Sequence, residues 1–152
     1  IGVRQLQEAL LEAGCYIMPY LDLPKDDIHF KALQRIGATG ILRGEGRNVG
    51  WANQTWFRAG DPLRGEDIFV SDIYGGIRIE PGEISVGRML ELVRSAGGAV
   101  PYSAEGEWWN KLGLEDFDRE RTALRLEAAV VIDAAFDPFG VFEVDYNGNF
   151  IL

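Results

Sequence analysis

Glu105 and Glu107 stand beside Trp108 and Trp109. Two carboxylates next to two indoles resemble the equipment of a glycosidase, with an acid, a base or nucleophile, and a sugar-stacking platform. Residues two apart on a helix do not face each other, so we read these acids as helix-capping or solvated. The stretch Gly44-Glu45-Gly46-Arg47-Asn48-Val49-Gly50 carries enough glycine to cradle a phosphate through backbone N–H groups. No Lys-Ser/Thr follows it, and the glycines are misspaced for a dinucleotide fingerprint, so it reads as a turn that sets shape. Asp145, Asn147 and Asn149 imitate the start of a calcium loop, but Gly148 is misplaced and no glutamate closes it. His29 precedes an apolar helix position and reads as a helix histidine, not a base. Cys15 reads as a small buried hydrophobe. Asn53-Gln54-Thr55 matches a glycosylation sequon by three letters only, and Asn53 and Thr55 are better used on backbone groups of a turn. Trp51, Asn53, Trp56, Trp108 and Trp109 would form a glycan or partner surface if their rings lie open in one groove, and core if they do not. We therefore assign no catalytic, cofactor-binding or metal-ligating residue.

The bulk composition narrows the function classes. The 152 residues suit a single domain, and 47% hydrophobic residues allow a real core. A net charge of −9 argues against nucleic acid, which needs a basic stripe. The arginines are scattered, so a basic membrane-surface patch is not expected. One cysteine and one histidine exclude a disulfide framework, a cysteine zinc site and histidine metal cages. No apolar run reaches membrane-spanning length, and no signal segment opens the sequence. Because it begins with Ile1, we read it as a fragment or mature piece of a longer chain, which leaves localisation open.

The elements that must position these residues follow from periodicity and punctuation. Val3, Leu6, Leu10 and Leu11 predict a helix stopped by Gly14. Cys15 to Leu23 reads as extended, limited by Pro19 to an edge or irregular strand. Asp26 or Asp27 would cap a helix through about Ile36, with Gly37 ending it. A glycine-studded turn around Trp51, Trp56 and Phe57 follows. Short helices are expected near Glu66–Ser71, ended by Gly75-Gly76, and over Glu105–Leu112. Ile77-Arg78-Ile79 alternates like a strand. Ser85 caps a helix with Met89, Leu90 and Val93 inward, ended by Gly97-Gly98. Thr122 would cap the longest helix, with Leu124, Ala128, Val131, Ile132 and Ala135 on one side before Pro138. The tail is a hairpin around Asn147-Gly148, expected as a type I′ turn.

Three segments echo one another: Pro62-Leu63-Arg64-Gly65-Glu66, Ile84-Ser85-Val86-Gly87-Arg88 and Arg121-Thr122-Ala123-Leu124-Arg125-Leu126-Glu127. They predict a mainly α fold with minor β, made of degenerate helix–loop–helix repeats that must pack on one another. We expect a single domain. Residues 1–24 form an N-terminal helix and strand, 25–76 and 77–140 two helical units, and 141–152 the closing hairpin.

LQEALLEAG, YIMPYLDL, FKALQRIGATGILRG and GWANQTWF resemble the C-terminal region of a group of bacterial FAD-dependent oxidoreductases, some of them labelled xanthan lyase. The resemblance implies a non-catalytic accessory domain of a secreted or periplasmic enzyme. FAD would be bound elsewhere in the parent chain and none here, and the parent's catalytic domain would be the partner. Residues Ile36 to Glu66, and again Trp108 to Ala129 with RTALRLEAAVVI, resemble S-layer homology modules. That second resemblance implies attachment to a cell-wall or extracellular glycan.

Overall fold

A computed structural model describes residues 1–50, 52–68 and 77–151. Helices dominate. Among the described residues there are five α-helices and two small antiparallel sheets: α1 (Val3–Glu12), α2 (Phe30–Thr39), β1 (Glu45–Val49), β2 (Ala52–Trp56), α3 (Val86–Ser95), α4 (Glu105–Lys111), α5 (Arg125–Phe136), β3 (Glu143–Val144) and β4 (Phe150–Ile151).

Helix α5 is the axis of the core. Nine of its twelve residues are buried, including Arg125, Glu127 and Asp133, so it is covered around most of its circumference and not along one stripe. α2 and α3 pack against it, and α1 packs on α2. Leu33, Ile36, Leu42, Phe57, Leu63, Val86, Leu90, Trp109 and Val131 are wholly inaccessible to solvent.

A closed ring of backbone hydrogen bonds ties the three echoing segments together. The Leu63 amide donates to Ala123 O (2.7 Å), the Ala123 amide to Ile84 O (2.8 Å), and the Ile84 amide to Leu63 O (3.0 Å). Two residues further along each segment a second set of bonds closes the ring in the opposite sense. The amides of Gly65, Val86 and Arg125 donate to the carbonyls of Gly82, Arg121 and Asp61 at 2.8, 2.8 and 3.0 Å. All three ring residues are buried. Each lies one residue before an N-cap: Arg64 of a single 3₁₀ turn (Gly65–Asp67), Ser85 of α3 and Leu124 of α5. Buried peptide groups must find partners, and here each segment supplies those of the next.

Several local expectations are met. α1 runs to Glu12 with Gly14 at φ +86°, and Ser85 Oγ accepts the Arg88 amide (3.1 Å). Met89, Leu90 and Val93 face inward. The chain ends meet: Val3 N–H donates to Phe142 O and Val144 N–H to Ile1 O, both at 2.8 Å.

Others need correction. Residues 15–23 form no strand, only one bridge from Tyr20 to Thr55. The Gln34 side chain takes the place of a ladder: its Oε1 accepts the Ile17 and Met18 amides (3.0 and 2.7 Å), and its Nε2 donates to Met18 O (2.8 Å). Helix α2 runs through Gly37 to Thr39 and ends at Gly40 (φ +75°). Gly37 is inside the helix because Tyr20 lies on it; a Cβ there would sit 2.2 Å from the Tyr20 hydroxyl. The N-cap of α2 is His29; Asp27 Oδ1 instead accepts the His29 amide (2.8 Å). The glycine-studded turn is a β-hairpin, with Glu45 opposite Trp56 and Val49 opposite Ala52. Ile77 and Ile79 pack on the core, but no strand forms there. Leu124, not Thr122, is the N-cap of α5, because the backbone at 121–123 belongs to the ring; Glu127 Oε1 reaches back to the Leu124 amide (2.8 Å). The helix expected near Glu66–Ser71 is a 3₁₀ turn to Asp67; residues 69–71 and Gly75-Gly76 lie outside the described residues.

The terminal hairpin has a different turn from the one its Asn-Gly pair suggests. A type I′ turn needs positive φ at both central residues. Gly148 has φ +86°, while Asn147 is absent from the positive-φ residues. The Gly148 amide donates to Asp145 O (3.1 Å) and the Asp145 amide to Asn149 O (2.9 Å), a type I turn followed by a glycine bulge. Asp145 selects it, since its Oδ1 accepts the amides of Asn147 (2.8 Å) and Asn149 (2.9 Å).

The Tyr20 hydroxyl is buried without a hydrogen-bond partner among the described residues. Burial also raises its pKa, with Arg125 opposing and Asp22 adding to the rise. An unsatisfied buried hydroxyl costs about 1–3 kcal/mol, so Tyr20→Phe should hold or raise the urea midpoint. A clear fall in that midpoint would show that the hydroxyl is bonded.

Candidate functional site

The residues singled out for chemistry do not converge on one place. Trp109 on α4 is wholly buried, its ring edge-on to Phe117 (centroids 5.6 Å apart) and its indole N–H donated to Glu115 O (2.9 Å). Neither face of that ring is open to a ligand. Trp108, its neighbour, is half-buried against the core. Trp56 is on β2, half-buried, with the Arg47 guanidinium 5.8 Å from its ring centroid. Asn53 is also on β2, paired with Asn48, and Trp51 lies outside the described residues.

Glu105 is the first residue of α4 and is committed to a charged network. Arg94 Nη2 donates to its Oε2 (2.6 Å), and Arg119 Nη1 reaches the same oxygen (2.7 Å). Burial pushes this carboxyl up, but the two guanidinium bonds more than offset that, and its pKa lies below the usual carboxylate value. A general acid needs the opposite shift, so Glu105 is built to stay ionised. Glu107 is exposed one turn-face away. The His29 ring is buried, with Nε2 3.2 Å from Gly113 O, pinning the lead-in of α2 to the end of α4. Cys15 is exposed, against the expectation of burial. Asp145 is occupied by its own turn. Among the described residues no group of three or more His, Cys, Asp or Glu is placed to hold a metal, and no helix is long and apolar enough to cross a membrane.

A polar cleft that was not singled out in the sequence is also present among the described residues. A cleft of about 520 Å³ opens where the β1–β2 hairpin meets the ring. Its lining includes Arg43, Arg58, Arg64 and Arg125 with Asp61 and Glu83. Arg125, at its base, is buried. Its Nε donates to Phe57 O (2.9 Å) and its Nη2 to Arg43 O, its Nη1 lies 3.3 Å from Asp67 Oδ2, and its Cζ is 5.3 Å from the Phe57 ring centroid. Two of the lining residues are held by Asp22, its carboxylate accepting the amides of Phe57 and Arg58 (both 2.8 Å). These bonds hold Arg58 at φ +60°, a backbone state that arginine rarely adopts, and its side chain pairs with Glu45. At the rim, Arg64 bonds Glu66 (2.6 Å), whose other oxygen accepts the Gly82 amide (2.8 Å). That backbone bond, then Arg64, lowers the Glu66 pKa to about 2. The cleft is thus a fixed frame with cationic and anionic groups at its mouth. The signal for it was an arginine standing two residues past the ring in an otherwise apolar run, Leu124-Arg125-Leu126.

Comparison with protein-family models, with curated proteins and with solved structures returned no match.

Proposed function

We propose that this chain is a non-catalytic accessory module, the C-terminal part of an FAD-dependent oxidoreductase, built from degenerate S-layer-homology-like units. The flavin parentage rests on the sequence resemblance; the observation that supports the repeated-unit part of the reading is the hydrogen-bonded ring. The three segments that echo one another in sequence are the three that meet there, with the same donor and acceptor positions in each. Units of this size cannot bury an apolar face alone, and a shared centre resolves that. The commitment of Glu105 to two arginines and of Trp109 to the core supports a structural role for residues that could otherwise have done chemistry.

A second reading, a cell-surface glycan-binding module, is favoured by the cleft around Arg125. Its arginine and carboxylate groups suit the hydroxyls and acidic groups of a polysaccharide. In this reading the cleft, not the tryptophans of α4, receives the glycan.

One experiment separates the two. The purified chain is mixed with FAD and desalted, and in parallel sedimented with purified bacterial cell-wall polysaccharide. The accessory reading expects a colourless protein that stays in the supernatant; stoichiometric flavin retention overturns it. Co-sedimentation lost in the double variant Arg58→Ala/Arg64→Ala, with an unchanged melting temperature, establishes the glycan reading instead.

A further inference from the structure

We propose that Asn147 is a self-modifying site, at which the Gly148 amide displaces the Asn147 side-chain amide and converts this position to aspartate or isoaspartate. Asn147-Gly148 is the single Asn-Gly pair among five asparagines; Asn48, Asn53, Asn110 and Asn149 precede Val, Gln, Lys and Phe, whose side chains shield the following amide. Asn147 and Gly148 are both exposed, and a Cβ added to Gly148 would meet nothing within 4 Å. The space that a cyclic intermediate needs is therefore open.

The chemistry requires only water. The Gly148 nitrogen, having lost its proton to hydroxide, attacks Cγ of Asn147. The new N–Cγ bond closes a five-membered imide, the Cγ–Nδ2 bond breaks, and Nδ2 leaves as ammonia. Water then opens the imide at either carbonyl. One opening restores the normal backbone with a carboxylate; the other routes the main chain through Cβ and Cγ and adds a carbon atom to it.

The turn restrains this reaction. In the folded hairpin the Gly148 N–H is engaged with Asp145 O (3.1 Å). The Asp145 carboxylate holds the amides of Asn147 and Asn149, and accepts Asn149 Nδ2 at 3.1 Å. Attack must therefore wait for the hairpin to open, and among the described residues its ladder is two residue pairs long, Glu143–Ile151 and Val144–Phe150. Asp145 is the latch. Once the reaction has occurred it does not reverse: a second carboxylate stands beside Asp145, and the extra main-chain atom breaks the turn's register. The hairpin, and with it the seat of Ile1 on Val144, loosens.

The test is ageing of the full chain in mildly alkaline buffer, followed by peptide mapping that resolves asparagine, aspartate and isoaspartate. Position 147 should convert about tenfold or more faster than the other four asparagines, and Asp145→Ala should accelerate it roughly tenfold by removing the latch. Asp145→Asn keeps an oxygen acceptor and should stay near the wild-type rate. Conversion at 147 no faster than elsewhere, or an Asp145→Ala rate equal to wild type, overturns the proposal.

Discussion

Asp133→Ala should lower the unfolding free energy by about 3 kcal/mol, a large fraction of what holds a domain of this size together. Asp133 on α5 and Arg35 on α2 are both buried and meet through two parallel bonds, Nε to Oδ1 at 2.9 Å and Nη2 to Oδ2 at 2.8 Å. Removing the carboxylate strands a guanidinium in a site that solvent does not reach. Glu8, 3.2 Å from Arg35 Nη1, compensates only in part, because it is far more exposed than Asp133. Removing both charges has a different expected result. Arg35→Leu/Asp133→Leu should recover most of the loss, since a buried pair contributes little net stability over apolar packing. Urea unfolding of the three proteins decides it; a single variant within about 1 kcal/mol of wild type would mean that the pair is hydrated.

Gly65→Ala should be as damaging. A Cβ at Gly65 would lie 1.8 Å from Glu80 O, a backbone atom that cannot swing away. The same residue donates its amide to Gly82 O, so relieving the clash pulls apart the contact between the first and second ring segments. We expect a loss of about 3 kcal/mol or more, at the upper end of overpacking costs. Gly60→Ala is the control: nothing lies within 4 Å of its added Cβ, and it should stay within about 0.5 kcal/mol. Equal melting temperatures for the two variants would show that the ring tolerates separation.

Which parts of this fold could be read from the sequence depends on how local their causes are. The Ser85 cap, the inward face of α3 and the glycine after α1 follow from neighbours within one or two turns. The helical content and the terminal hairpin were legible for the same reason. The turn type was not, since it depends on Asp145 using its carboxylate in place of a second left-handed residue. Residues 15–23 look like a strand because they are apolar, but Gln34, sixteen residues away, satisfies their backbone. The β1–β2 hairpin was hidden by glycines that suggest irregular structure; Gly44 is needed where a Cβ would meet Trp56 O at 2.6 Å. For the cleft, the clue was a charged residue in an apolar run. Arg125 and Asp133 each interrupt such a run, and both, like Arg35, are buried with partners far along the chain. Aromatic residues were the weaker guide: adjacent Trp108 and Trp109 differ in burial, and it is Trp109 that meets Phe117.

The ring also sets when the molecule can exist. Its bonds join residues 63, 84 and 123, and each segment holds one neighbour while being held by the other. A chain emerging residue by residue therefore has its first two segments in place, joined by the Ile84–Leu63 and Gly65–Gly82 bonds, for as long as the third is missing. The buried axis, α5, arrives only after that third segment. Early helices such as α2, whose main packing partner is α5, must wait with their apolar faces uncovered. Folding that must wait for contacts between residues 63, 84 and 123 should be late, and slower than helical content alone would suggest. A holdase or the folded remainder of a longer chain would find its substrate in that interval, and a truncation before residue 123 would leave a permanently open form of the same intermediate.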